Sequence, residues 1–186
     1  MEANEGSRNA LPAGREITFR KSMRMDAPPE AVYDVLADLR SHLEWGGNRG
    51  KKNFRLTAIE AGEAPAEKGT EWTSNGVAPD GTFQDRSVVT EASRPSAFEF
   101  LTNVHVSFRK GGEADWTVSN RYEIRPVGSG SDVTYTQRVT RATELGPLKM
   151  LLNPVLGGLG RMMVSGFVKP AMQGLAAMAK ARAGTA

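Results

Sequence analysis

The sequence predicts an α+β fold in which one antiparallel sheet packs a single face against helices. Two observations point there. Between Lys52 and Arg141 the chain reads as strand after strand, with period-two alternation and short turns. Helical periodicity is confined to a stretch after the first strand and to the C-terminal end. Consecutive strands joined by short turns are antiparallel, because a parallel neighbour needs a crossover. Helices segregated to the ends of such a run bury their apolar stripes on one sheet face.

Residues 1–14 are small and polar and are expected to form a disordered leader, with residues 15–186 as a single domain. Ile17, Phe19, Met23 and Met25 alternate with Thr18, Arg20, Ser22 and Arg24, a half-buried strand. Asp26-Ala27-Pro28-Pro29-Glu30 is a helix start, with Asp26 of the capping type and proline in the first turn. Val32, Val35, Leu36 and Leu39 follow at helical spacing, and Trp45-Gly46-Gly47-Asn48-Arg49-Gly50 ends that stretch in a loop. Strands are expected over Phe54 to Glu60, Thr70 to Asn75 and Thr82 to Glu91. Phe98, Phe100, Val104, Val106 and Phe108 then alternate with Glu99, Asn103, His105 and Ser107. Two further strands hold Trp116, Val118, Tyr122 and Ile124, then Val133, Tyr135 and Val139. A terminal helix is expected from the spacing of Leu148, Leu152, Val155, Leu156, Leu159, Met163 and Phe167, continued by Met172, Leu175 and Met178. Pro154 and Pro170 are expected to break or kink it, and its glycines to weaken it.

Composition removes several function classes. The chain has 186 residues, 39% hydrophobic and 24% charged, with no cysteine and two histidines. That excludes a disulfide framework, a thiol nucleophile and a Cys-ligated metal, and leaves little for a histidine-rich centre. The net charge of +3 is spread without a basic run or aromatic-basic strand, which speaks for solubility and against nucleic acid as a partner. The most apolar region, Met150 to Ala179, is interrupted by Arg161, Lys169 and Pro170. Its longest uncharged run falls short of the ~20 residues of a membrane span. The N-terminus lacks a basic start and apolar run, so the cytoplasm is the expected compartment.

Several short motifs occur in a telling order. Asp26 to Asp38 resembles the opening helix of the START/Bet v 1-like superfamily, in particular its polyketide cyclase/dehydrase and lipid-transport branch. Trp45 stands where that family has a tryptophan closing the helix pair, Lys68-Gly69-Thr70 resembles a strand start, and Ala92-Ser93-Arg94-Pro95 resembles a turn of the family. The resemblance implies a helix-grip fold: about seven strands curved around a long C-terminal helix, with two short helices after the first strand and an apolar cavity between sheet and helix. It further implies binding or carriage of a small apolar molecule such as a lipid or polyketide. The alternatives are a cyclase or dehydratase using the same cavity, or an accessory module for chaperones or respiratory-lipid handling. No cofactor and no metal are implied, and the oligomeric state stays open.

Strand alternation indicates which polar residues interrupt apolar faces. Lys21 sits among Ile17, Phe19, Met23 and Met25; Asn120 interrupts the Trp116 strand, and Gln137 the last one. With Phe83 and Val89 inward, Asp85 and Ser87 face inward too. The family topology implies that Lys21, Gln137 and Asn120 are lateral neighbours on the cavity side, with Asp85 or a ligand carboxylate as the counter-charge to Lys21. One reading is a polar stripe orienting an apolar ligand. A catalytic version makes Lys21 or Asp85 a general acid/base. The structural alternative has Lys21 snorkelling at a sheet edge while Asn120 and Gln137 satisfy backbone groups.

Trp45, Trp72, Phe83, Phe100, Trp116 and Tyr122, with Met163 and Phe167 of the terminal helix, are the expected apolar lining. The cavity is expected to open between that helix and the Trp45–Lys52 loop. His105 is expected at the solvent face, and His42 as a surface or capping residue near the mouth.

Overall fold

Seven strands form one antiparallel sheet in the order β1-β7-β6-β5-β4-β3-β2. The structure is a computed structural model and describes residues 10–46, 55–78, 81–144 and 157–184, with side chains from 157 to 167 left out of the description. The strands are β1 (Ile17–Met25), β2 (Arg55–Glu60), β3 (Glu71–Ala78), β4 (Gly81–Ser93), β5 (Ala97–Phe108), β6 (Glu113–Val127) and β7 (Gly130–Ala142). The helices are α1 (Pro29–Ala37), α2 (His42–Trp45), linked to α1 by a tight turn at Leu39–Ser41, and α3 (Gly157–Ala183). This is the expected α+β architecture with a long C-terminal helix. Bulges between Leu56 and Ala58, Val89 and Glu91, and Thr117 and Val118 bend strands that would otherwise run straight.

Each strand sorts its side chains by parity. In β1, Thr18, Arg20, Ser22 and Arg24 are exposed while Ile17 and Met25 are buried. On the outer face, charges answer one another: Arg121 contacts Glu91, Glu99 and Glu123 together. The inner face meets the helices. On α3, Val168, Met172, Leu175 and Ala179 recur at helical spacing and are buried, the last three at 1% exposure or less. They join Val32, Val35 and Leu36 of α1 and Phe98, Tyr122, Ile124, Val133 and Tyr135 of the sheet in one core. Full burial of a side chain such as Leu175 stabilises by roughly 1.5–3 kcal/mol. Arg182 fixes the end of α3 to α1, donating to the Asp34 carbonyl at 2.7 Å and to Asp38 Oδ2 at 2.9 Å.

Three local expectations change. Asp26 is not the cap of α1: the residue before the helix is Pro28, without a side-chain cap bond, and Asp26 lies 3.4 Å from Lys180 Nζ. Proline at the first helical position is pre-set in φ and gives up an amide that has no helical partner, so the helix starts without a capping side chain. Pro170 lies inside α3 and does not end it. Burial of Val168 and Met172 on either side holds the helix together across the missing hydrogen bond. Leu11, within the expected leader, is buried against Ile17, Val118, Val139 and Ala142 and donates its N–H to the Ala142 carbonyl at 2.9 Å. Residues 1–9, Pro154 and the loop after Gly46 lie outside the described residues.

His42 also departs from expectation. It is buried, not at the surface, and its ring packs on Trp45 at 4.6 Å, Phe100 at 6.0 Å and Trp72 at 6.2 Å between centroids. Nε2 lies 2.8 Å from the Leu36 carbonyl, which can only accept, so Nε2 carries the proton and Nδ1 is bare. Trp45 Nε1 donates to Ser41 Oγ at 3.1 Å. The α3 backbone approaches this cluster at Gly174, where an added Cβ would lie 3.0–3.2 Å from the Trp45 backbone and Cβ.

Two outcomes follow from this packing. Gly174→Leu is expected to destabilise by about 1–3 kcal/mol in urea unfolding, because the Trp45 backbone cannot move aside for the larger side chain. Burial lowers the His42 pKa from 6.5 to about 4, so the unfolded chain binds a proton at pH values where the folded one does not. Stability is therefore expected to fall as pH drops from about 6.5 towards 4, by up to ~3 kcal/mol. His42→Gln, measured across the same range, is expected to lose that part of the acid sensitivity.

Candidate functional site on the inner sheet face

Register places three polar pairs on the inner face. Gln137 of β7 lies opposite Asn120 of β6, Thr102 of β5 opposite Ser87 of β4, and Asp85 of β4 opposite Ser74 of β3. Each pair is hydrogen-bonded across its strands. Gln137 Nε2 donates to Asn120 Oδ1 at 3.3 Å, the Ser87 and Thr102 hydroxyls are 2.9 Å apart, and Ser74 Oγ donates to Asp85 Oδ2 at 3.2 Å. Asn120 faces Phe100, two residues before Thr102, and Asp85 is two residues from Ser87, so the pairs step diagonally. The band crosses from β7 to β3, four strand spacings or roughly 19 Å.

The band divides the inner face. On one side lies the helix-covered core, with Tyr135, Tyr122, Phe98, Val89 and Trp72. On the other lie two smaller clusters, one with Val118 and Val139, the other with Phe83, Val106 and Ala114. Polar groups buried among apolar ones are stable only when bonded, which the lateral pairs accomplish for most of the band.

Two of its groups keep unused capacity. Asp85 Oδ1 is buried and has no hydrogen-bond partner among the described residues. Burial pushes the Asp85 carboxyl up to about 7, with the Ser74 bond pulling the other way. Asn120 Oδ1 accepts from both Tyr135 Oη, at 2.6 Å, and Gln137 Nε2, so its Nδ2 donors are uncommitted among the described residues. Burial also raises the Tyr135 and Tyr122 phenols above their ordinary range, so both stay protonated donors.

The structure sorts the candidate residues from the sequence as follows. Asn120 and Gln137 are neighbours, as the family topology implies. Lys21 is half-buried on edge strand β1 opposite Tyr135, while Phe19 takes the place opposite Gln137. Lys21 and Asp85 are four strands apart, roughly 19 Å, so Asp85 is not its counter-charge. Trp45, Trp72, Phe100 and Tyr122 come together: Trp72 and Phe100 at 5.1 Å, Trp45 and Tyr122 at 6.1 Å. Phe83 stands apart, its ring over Gly76, where a Cβ would sit 2.0 Å from Cζ. Trp116 is half-buried beside the smaller clusters, with Nε1 donating to the Glu144 carbonyl at 2.6 Å. Met163 and Phe167 lie where side chains are outside the description. His105 is at the outer face, 2.9 Å from Asp115.

Sequence reasoning passed over Ser74 and Thr102 as members of the band. The signal was present: Ser74 falls between Trp72 and Gly76, and Thr102 occupies the position skipped between Phe100 and Val104. Among the described residues no group of His, Asp or Glu could hold a metal ion, and no helix is long and apolar enough to cross a membrane.

Comparison with known proteins adds the family. No curated protein matches the sequence. Solved structures of the same fold include protein CV1439 of Chromobacterium violaceum, 16% identical with a TM-score of 0.60 over 88% of this chain and 96% of that one. A protein of Arthrobacter aurescens is 16% identical with a TM-score of 0.61 over 88% and 86% of the two chains. Protein Ms6760 of Mycobacterium smegmatis is 17% identical with a TM-score of 0.57 over 89% and 92%. At such identity these likenesses speak for the fold alone. The sequence profile of one family, described as polyketide cyclase / dehydrase and lipid transport, matches residues 16–184. The chain belongs to that family.

Proposed function

We propose that the protein binds and carries a small, largely apolar molecule against the inner sheet face, with the polar band setting its orientation. The observation that carries this reading is the buried Asp85 Oδ1, which lacks a partner among the described residues although the other two polar pairs of the band are bonded across their strands. A fold that only needed stability would place an apolar residue there. The aromatic groups of Trp45, Trp72 and Phe100 beside the band suit an apolar occupant. Family membership supports the same reading, since lipid transport is one of the roles in its description.

A second reading, a cyclase or dehydratase, is favoured by one feature. A carboxyl brought up to about 7 is matched to moving protons near neutral pH, and Asp85 would be the general acid or base. Turnover in the wild type that is lost in Asp85→Asn while ligand affinity is retained would identify the enzyme; ligand binding without turnover in the wild type would identify the carrier.

Methyl dodecanoate, an uncharged apolar probe, is expected to quench tryptophan fluorescence saturably at one molecule per chain; absence of saturable quenching contradicts the proposal. Asp85 should also show its function in stability. Its folded pKa lies above the ordinary 3.8, so its stabilising contribution is present below 3.8 and lost as pH rises through 7. Asp85→Asn is therefore expected to stabilise the empty protein by up to ~4 kcal/mol at pH 8 and by little at pH 4, in urea unfolding at both values.

A further inference from the structure

The hydrogen bonding of the band specifies which atoms it has left to offer. Asp85 Oδ2 is occupied as an acceptor by Ser74 Oγ, so a proton on this carboxyl resides on Oδ1, the oxygen without a partner among the described residues. Charged side chains on the three strands around it, Glu71, Arg86, Glu91, Glu99 and His105, sit at outward register positions, and the residues flanking Asp85 across the sheet are Ser74 and Val104. No described cation faces it on β3, β4 or β5, and an ionised carboxylate without a cation is strongly disfavoured in such a place. Asp85 thus presents a hydrogen-bond donor.

Asn120 presents donors for a different reason: its oxygen already takes two hydrogen bonds and its Nδ2 takes part in none among the described residues. Between them, the Ser87 and Thr102 hydroxyls use one of their two hydrogens on each other, which leaves one. From Asn120 to Asp85 is two strand spacings across and, on β5, the four residues from Phe100 to Val104 along, about 16 Å on the sheet. Lys21, the one cation at an inward position of β1, lies at the far edge, outside this span.

Building on the carrier role proposed above, we infer that the ligand is uncharged and presents acceptor oxygens, as ketones or esters do, at two separated points, one to the Asp85 carboxyl hydrogen and one to the Asn120 amide. A carboxylate would face an acidic side chain, and an ammonium group would face the amide and hydroxyl hydrogens.

Tryptophan quenching with matched probes tests this: dimethyl dodecanedioate, the dodecanedioate dianion and the corresponding terminal diamine. The diester is expected to bind at least ~10-fold more tightly than either charged probe, one net hydrogen bond being worth about that factor. Its affinity for the wild type is expected to fall as pH is raised from about 6 to about 8, through the Asp85 value of about 7. Asp85→Asn, of the same shape and still a donor, is expected to bind the diester with no such pH dependence. Asp85→Leu and Asn120→Leu, each checked for a cooperative melt, are expected to lose ~10-fold. Preference for the diamine or the diacid, or wild-type affinity that is flat or rises with pH, overturns the inference. If methyl dodecanoate binds while the diester gains nothing over the diacid, the ligand chemistry is wrong and the carrier role stands. If no apolar probe binds, the carrier role falls and this inference with it.

Discussion

The burial of one helical stripe holds this architecture in place. Val168, Met172, Leu175 and Ala179 bring α3 onto the inner sheet face and onto α1 in one continuous core. Strand parity gives the sheet an apolar face, but a sheet with one open apolar face is stable only once covered. Gly174 sets how close the helix comes, by allowing its backbone to lie against Trp45. Arg182 then pins its end to Asp34 and Asp38. The helix consequently closes the half of the inner face that holds Tyr122, Tyr135 and Phe98, and the diagonal polar band marks the border of that half.

That border is where stability and function diverge. Leu or Val at the positions of Asn120, Thr102, Ser87 and Asp85 would extend the apolar core without interruption. The chain instead buries hydroxyls and amides there and bonds them in pairs, which makes the exchange nearly neutral. Asp85 is the exception. Its carboxyl is desolvated, receives a single hydroxyl donor and has no cation among the described residues, so the folded chain holds it at a penalty. Local conflicts of this kind concentrate at functional sites.

Much of the fold was legible in the sequence because β parity is a local property. The alternation in β1, β5 and β6 identified the inward residues, and the pairing of Gln137 with Asn120 followed from the topology that the family resemblance implies. Parity says which face a residue occupies and nothing about lateral distance. That is why parity offers Asp85, beside a ligand carboxylate, as a counter-charge to Lys21 although three strands separate the two residues. Thr102 went unseen because a single threonine hardly disturbs a run of Phe and Val. His42 lies in a four-residue helix, too short for periodicity to reveal its buried side, and its place was set by contacts with Trp72 and Phe100 from distant strands. Pro170 illustrates the reverse: it lies inside α3 without ending it, because residues on both sides are buried.

The state of one carboxyl decides between a functional and an incidental reading of the band. The most direct measurement is a carbon NMR titration of the Asp85 side chain in the empty protein and again with a neutral ester bound. A midpoint near 7 in the empty protein, moving higher when the ester accepts its hydrogen, is the predicted result. A midpoint near 4 that the ester leaves unchanged would mean that Asp85 is solvated or ion-paired, and would contradict the account.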